Sequence, residues 1–251
     1  QTTENTSGQG WSYDVDSNIL TLDNATINGT NTIGHVGAGI FASGDLTIVL
    51  EGSSTVKGVQ DPNGDSQSIR VQGNLTIQGG GSLTAQGAET SSGSSYGIFV
   101  IGSFTQQGGS VTASGGNVSG NYNSTGLYVY GSTVTVQGGT LTATGGATDS
   151  GSYGISMFSS VTVGNATVTA TGGTGKYSYG LYIDSSSPSV TLSGSGSLTA
   201  RSGTATNRAG GIYFQNPFGS TGSVTVGNGS TLLANSVILY DNSFEAKPLA
   251  P

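Results

Sequence analysis

Apolar residues in this chain recur in short runs that alternate with polar ones, and the runs repeat in sets of three. The first member of each set centres on a branched residue, Ile40, Ile69, Ile98, Leu127, Ile155, Leu181, Ile212 and, more weakly, Ile238, in a Gly-Ile-aromatic-Val motif. The steps between them are 29, 29, 29, 28, 26, 31 and 26 residues. A second run follows each of the first seven, as in Leu46-Thr47-Ile48, Leu75-Thr76-Ile77 and Val134-Thr135-Val136. A third comes next, as in Leu83-Thr84-Ala85, Val111-Thr112-Ala113 and Leu141-Thr142-Ala143, with Val56 and Leu232 as degenerate versions.

Alternation with a period of two predicts strands of three to five residues, and Gly-Gly, Gly-Ser and Gly-Asn pairs mark the corners. No strand this short buries its apolar side alone, so each coil needs the one above and below it. The pattern predicts an all-β fold, a single-stranded right-handed parallel β-helix of about eight coils of about 28 residues with three strands per coil. A propeller blade of about 40–50 residues does not match that period. At roughly 4.8 Å per coil the rod is near 40 Å long.

The whole chain reads as one domain. Residues 1–36 form an N-terminal cap and incomplete first coil, 37–236 the regular coils, and 237–251 a C-terminal cap or linker. In the first segment, Leu20-Thr21-Leu22 and Ala25-Thr26-Ile27 read as second and third strands, with Trp11 closing the end. The chain opens Gln1-Thr2-Thr3-Glu4, as a mature or trimmed protein would.

Composition agrees and narrows function. Gly fills 45 of 251 positions, which excludes a mainly helical protein. Net charge is −7, and the six basic residues are scattered, so no positive stripe exists for nucleic acid. There is no Cys, which removes disulfides and thiolate chemistry and suits an extracellular bacterial protein. No apolar run is long enough to cross a membrane as a helix.

On such a rod, function lies on an outer face or in the loops. One outward file runs Phe41, Arg70, Phe99, Tyr128, Ser156, Tyr182, Tyr213, and a second runs Ser43, Gln72, Ile101, Tyr130, Phe158, Asp184, Gln215. Phe41, Phe99, Tyr128, Tyr130, Phe158, Tyr182 and Tyr213 are the candidate ligand-binding set. Flat rings suit the apolar faces of sugars, and neighbouring amides and hydroxyls suit their hydroxyl groups. The competing reading is that the rings stabilise one another or pack beneath the third corner. Tyr96, Tyr153 and Tyr179 read as corner packing. Rows of Thr and Ser on the second and third strands invite comparison with ice-binding surfaces, but Thr is also simply a favoured strand residue.

Calcium is the only metal that the sequence argues for. Asp61, Asn63 and Asp65 place oxygen ligands at alternate positions of one corner, and Asp14-Val15-Asp16-Ser17-Asn18 does the same near the start. Asp and Asn are also ordinary turn residues. His35 is the sole His and reads as a loop residue. Asp184 has no acid at its position in either adjacent coil, Asp45 and Glu51 belong to different strands of one coil, and Arg70 stands alone between Phe41 and Phe99, so the chain reads as non-catalytic rather than as a glycosidase or lyase.

Gly10-Trp11-Ser12-Tyr13-Asp14, Leu20-Thr21-Leu22-Asp23-Asn24-Ala25-Thr26-Ile27, Gly44-Asp45-Leu46-Thr47-Ile48-Val49-Leu50-Glu51-Gly52 and the repeated Gly-Gly-Thr-Leu-Thr-Ala units carry a resemblance as an ordered set. Together they resemble the carbohydrate-binding β-helix domains of secreted and surface proteins of clostridia and related gut Firmicutes. That resemblance covers nearly the whole chain. It implies a pectate-lyase-like fold, binding of plant polysaccharides with calcium, and no lytic activity. The expected function is a non-catalytic, extracellular polysaccharide-binding module. The alternative is a structural or adhesive surface stalk, and an enzyme comes third. The sequence leaves oligomeric state open.

Overall fold

A computed structural model describes residues 6–30, 32, 34–215, 222–240 and 246–248. Its described residues form strands and no helix. The strands stack as a parallel β-solenoid of three faces. Face I comprises Val36–Ala42, Asp65–Val71, Ser95–Val100, Ser124–Val129, Gly151–Met157, Gly175–Asp184 and Ala205–Gln215, and ends on Val237–Tyr240. Faces II and III share one continuous sheet that begins at Ile19–Leu22 and Thr26–Asn28. This makes about seven complete turns, with a partial turn at each end, against about eight expected. The chain segments 1–5, 241–245 and 249–251, on which parts of the terminal expectations rest, lie outside the described residues.

The core is built from the inward ladders that alternation predicts. Ile69, Ile98, Leu127, Ile155, Leu181 and Ile212 are fully buried and in register, as are Val71, Val100, Val129, Met157, Ile183 and Phe214. Ile40 and Ala42 extend these ladders at the first rung and are only partly buried. The last rung corrects the sequence reading by one residue: Val237, not Ile238, faces Ile212. Val237 and Leu239 pack against the core, so Ile238 takes the outward position beside Tyr213.

Gly in the motif has a steric cause. At Gly126 a Cβ would sit 2.4 Å from the Thr144 amide nitrogen, because face III passes directly against the start of face I. The second corner is smoother than expected. In two coils the second and third strands fuse into twelve-residue strands, Thr133–Thr144 and Ser160–Thr171. Gly139, at φ +76°, carries the first of these around the bend while pairing with the next coil continues.

The third corner is held by a buried ladder that sequence reasoning missed. Ser66, Ser95, Ser124, Ser152 and Ser178 all lie three residues before the branched core residue, and none is exposed. The Ser95 hydroxyl donates to the Ala88 carbonyl oxygen (2.7 Å) and accepts from the Gly116 amide (2.8 Å). Ser124 repeats this with Gly116 O and Gly146 N, both at 2.7 Å. Each hydroxyl thus ties its own coil to the next and satisfies backbone groups that no strand ladder reaches. A Ser at one position in five successive coils is visible in the sequence, but Ser is common at corners.

The first coil is closed by a hairpin, Thr6–Gly8 and Trp11–Asp14, which runs antiparallel to Ile19–Leu22. Trp11 and Tyr13 are partly buried and pack against the core there. This covers the sheet edge that an open rod would present.

Candidate functional site

Face I carries the outward files in register, and the aromatic residues gather into two clusters. In the first, Phe99 and Tyr128 stack with centroids 5.0 Å apart and planes inclined by 20°. Tyr96 lies against both, at 5.2 and 5.3 Å. Phe158 meets Tyr128 edge-on at 6.1 Å and Tyr130 at 5.3 Å. The Arg70 guanidinium stands 4.9 Å over Phe99 and donates to Gln67 Oε1. In the second cluster Tyr182 and Tyr213 stack, Tyr153 and Tyr179 pack against them at 4.4–5.9 Å, and Tyr153 and Tyr179 stack on each other at 6.1 Å. Arg208 lies 5.9 Å over Tyr213 and donates to its hydroxyl, which in turn donates to Gln215 Oε1. Ser156 interrupts the file between the clusters and is buried.

The structure brings six of the seven predicted ligand-binding residues, Phe99, Tyr128, Tyr130, Phe158, Tyr182 and Tyr213, into these clusters. Phe41 stands one rung beyond Arg70 and touches neither cluster. The expectation of a densely exposed file is corrected. Tyr213 is 2% exposed, and Phe99, Tyr128 and Tyr182 are half-buried, because rings two residues before the branched position fold over them. Those rings, Tyr96, Tyr153 and Tyr179, are therefore members of the clusters. Only Tyr130 (59% exposed) and Phe158 (36%) present large open surfaces.

Burial raises the phenols. Tyr128 and Tyr153 are each pushed up to about 12, chiefly by desolvation. Tyr96, Tyr179 and Tyr182 lie further above the usual range for the same first reason. The rings stay neutral hydrogen-bonding groups at any physiological pH. Asp184, half-buried at the outer edge of the strip, has its carboxyl raised by desolvation, and its charge contributes to raising both Tyr128 and Tyr182.

The candidate calcium residues serve their own corner. Asp61 is buried, and its Oδ1 accepts from the Asn63 amide at 2.8 Å; Asn63 itself is exposed. Asp65 Oδ1 accepts from the Ser94 amide of the next coil, also at 2.8 Å, and burial raises its carboxyl despite the opposing Arg70. Asp14, near the start, accepts from the Asp16 amide and the Ser17 hydroxyl. Among the described residues no three His, Asp or Glu side chains are grouped as metal ligands would be. His35 lies in a loop at φ +62°, as expected.

One open feature went unread in the sequence. Loops stacked at the third corner enclose a shallow groove of about 610 Å³ lined by Glu89, Thr90, Asn117, Val118, Thr148 and Asp149, among others. Its polar groups are largely engaged locally: Asn117 Nδ2 donates to Glu89, and the Gly120 amide donates to Asp149.

With this geometry in view, comparison with known proteins adds no relative: no family model matches the chain, and neither a curated protein nor a solved structure resembles it significantly.

Proposed function

We propose that this solenoid is a non-catalytic, extracellular polysaccharide-binding module whose glycan lies along the aromatic strip of face I. One observation carries the reading. Only five large hydrophobic side chains are exposed among the described residues, Tyr122, Tyr130, Phe158, Val226 and Leu233. Two of these, Tyr130 and Phe158, adjoin one another at 5.3 Å on the strip itself. Exposed apolar groups gathered at one place with polar neighbours mark a recognition surface more than scattered ones do.

The surroundings suit a sugar. Tyr128 and Tyr182 offer partly open rings, and Gln72, Asp184 and Gln215 occupy the neighbouring outward file. Successive rungs lie roughly 4.8 Å apart, about half a disaccharide repeat, so an extended chain meets equivalent groups as it runs along the rod. The resemblance to clostridial carbohydrate-binding domains supports the same reading.

The test is retention of the purified chain in affinity electrophoresis through soluble plant glycans, beside a Tyr130→Ala/Phe158→Ala double variant. Retention of the parent and its loss in the variant is expected. Equal mobility of the two proteins in every glycan gel contradicts the proposal.

A structural stalk is the second reading, and the burial of Tyr96, Tyr179 and Tyr213 favours it. Each spends its surface on neighbouring rings, Tyr96 on Phe99 and Tyr128, and Tyr179 and Tyr213 on each other, as packing alone requires.

A further inference from the structure

Asp184 is a carboxylate on the strip that has no partner among the described residues. Tyr182 and Asp184 point outward two residues apart on the strand Gly175–Asp184. One rung back lie Ser156 and Phe158, and a further rung back Tyr128 and Tyr130. The Asp184 carboxylate lies near enough to Tyr182 and Tyr128 for its charge to act on both, and Phe158 meets the Tyr128 ring edge-on at 6.1 Å.

This carboxylate makes no hydrogen bond or ion pair with any described residue. Gln215, its neighbour across the strand pair, accepts from the Tyr213 hydroxyl instead. A half-buried carboxylate without a partner carries an unrepaid desolvation cost. Among the described residues no cation meets it. Of the six basic residues, two lie on this strip, and they sit at its opposite ends. Arg70 is over Phe99 and Arg208 over Tyr213. Both contacts show that rings of this face accept a cation, an attraction worth about 0.5–2 kcal/mol depending on desolvation. Asp184 lies one rung from the strand that carries Arg208, yet Arg208 stands over Tyr213 and donates to its hydroxyl, and among the described residues the carboxylate has rings beside it and no positive partner.

We propose that Asp184, with the rings of Tyr128, Phe158 and Tyr182, forms a site for a protonated amine, and that the polymer bound along the strip is a polysaccharide of free amino sugars. The second half of this statement rests on the glycan-binding reading above. An ammonium group on a sugar ring neutralises Asp184 while the ring's C–H face meets the aromatic surface. Acetylation removes the charge, and a neutral sugar offers hydroxyl donors alone. An acidic polymer meets Asp184 and Asp65 with like charge, on a chain of net charge −7.

The experiment titrates the parent protein and Asp184→Asn by calorimetry with a glucosamine hexamer, its fully acetylated form and a glucose hexamer, at near-neutral pH. Ring signals of Tyr128, Phe158 and Tyr182 are followed in parallel by NMR with methylammonium as the amine without a sugar. The parent is expected to prefer the glucosamine hexamer by about tenfold or more. High salt reduces that preference by screening the charge. Asp184→Asn brings the three hexamers within about twofold of one another by lowering the affinity for the glucosamine hexamer. A parent without the preference overturns the proposal, as does a variant that keeps it. If no hexamer binds, methylammonium shifting the three rings in the parent but not in the variant supports the amine site and removes the glycan reading. Absence of both responses overturns each. The parent's salt dependence holds even if Asp184→Asn folds poorly.

Discussion

Tyr182 and Tyr213 lie 31 residues apart in the chain and stack across neighbouring coils, with ring centroids 5.6 Å apart and planes inclined by 6°. Tyr213 is almost entirely covered, so its ring contributes to packing and has no free surface for a ligand. Replacing it with Ala removes a buried aromatic side chain and its stacking partners. Tyr213→Ala is expected to destabilise the solenoid by about 3–5 kcal/mol, measured by urea denaturation. A loss below about 1 kcal/mol contradicts the packing role given to this ring.

Ser124 ties two coils together through one hydroxyl, which donates to Gly116 O and accepts from the Gly146 amide. Ser124→Ala leaves a buried carbonyl and a buried amide without that partner. The expected cost is about 1–3 kcal/mol, seen as a lowered denaturation midpoint. Ser186→Ala, at an exposed loop position, is the control and should stay within about 0.5 kcal/mol of the parent. Equal effects of the two substitutions contradict the account of the corner ladder.

Thr125 occupies the position held by Tyr96 and Tyr153 in adjacent coils, and it is 1% exposed. Its hydroxyl oxygen is buried without a hydrogen-bond partner. Thr125→Val keeps the shape and removes the unsatisfied group, so it should stabilise the fold by about 1 kcal/mol. Thermal unfolding of the two proteins checks the sign, and a fall in midpoint contradicts it.

The tyrosines give a pH dependence whose direction follows from burial. Phenols held up to about 12, as at Tyr128 and Tyr153, keep their protons in the fold. In the unfolded chain the same groups ionise near 10. The stability they contribute is fully present below about pH 10 and is lost as pH rises from there through the folded values. Phenolate absorbance should therefore show a subset of the 11 tyrosines ionising only as the circular dichroism of the strands collapses. Ionisation of all 11 near pH 10 with the strands intact contradicts the buried clusters.

Much of the fold is legible in the sequence because a solenoid repeats one simple rule. Inward residues at every second position, such as Ile98 and Val100, announce a strand, and their 29-residue recurrence announces stacking. The rule weakens where the repeat degenerates. Val237 and Ile238 are both branched, and only the pairing of the last rung decides which faces inward. The second corner was unreadable for a related reason: Gly138-Gly139 looks like a break, yet a positive φ at Gly139 lets the ladder continue.

The site was legible in its membership more than in its exposure. Outward register places Phe99, Tyr128 and Tyr182 on one face, but their covering by Tyr96, Tyr153 and Tyr179 depends on the third corner. There the strand passes a Gly that the ladder skips, as at Gly97 between Tyr96 and Ile98. Strict alternation does not hold across that Gly, so Tyr96 lies against Phe99 and Tyr128 on the outer side. Sequence alternation alone carries no sign of that reversal.

The most direct test of the central claim is a glycan-array screen of the purified chain beside its Tyr130→Ala/Phe158→Ala variant, each run with calcium and with a chelator. Stacking on exposed rings predicts that the parent binds a set of polysaccharides in both conditions and that the variant loses them. Silence of the parent across the whole array, or equal binding by the variant, contradicts a glycan surface on face I and leaves the rings as packing of a structural rod.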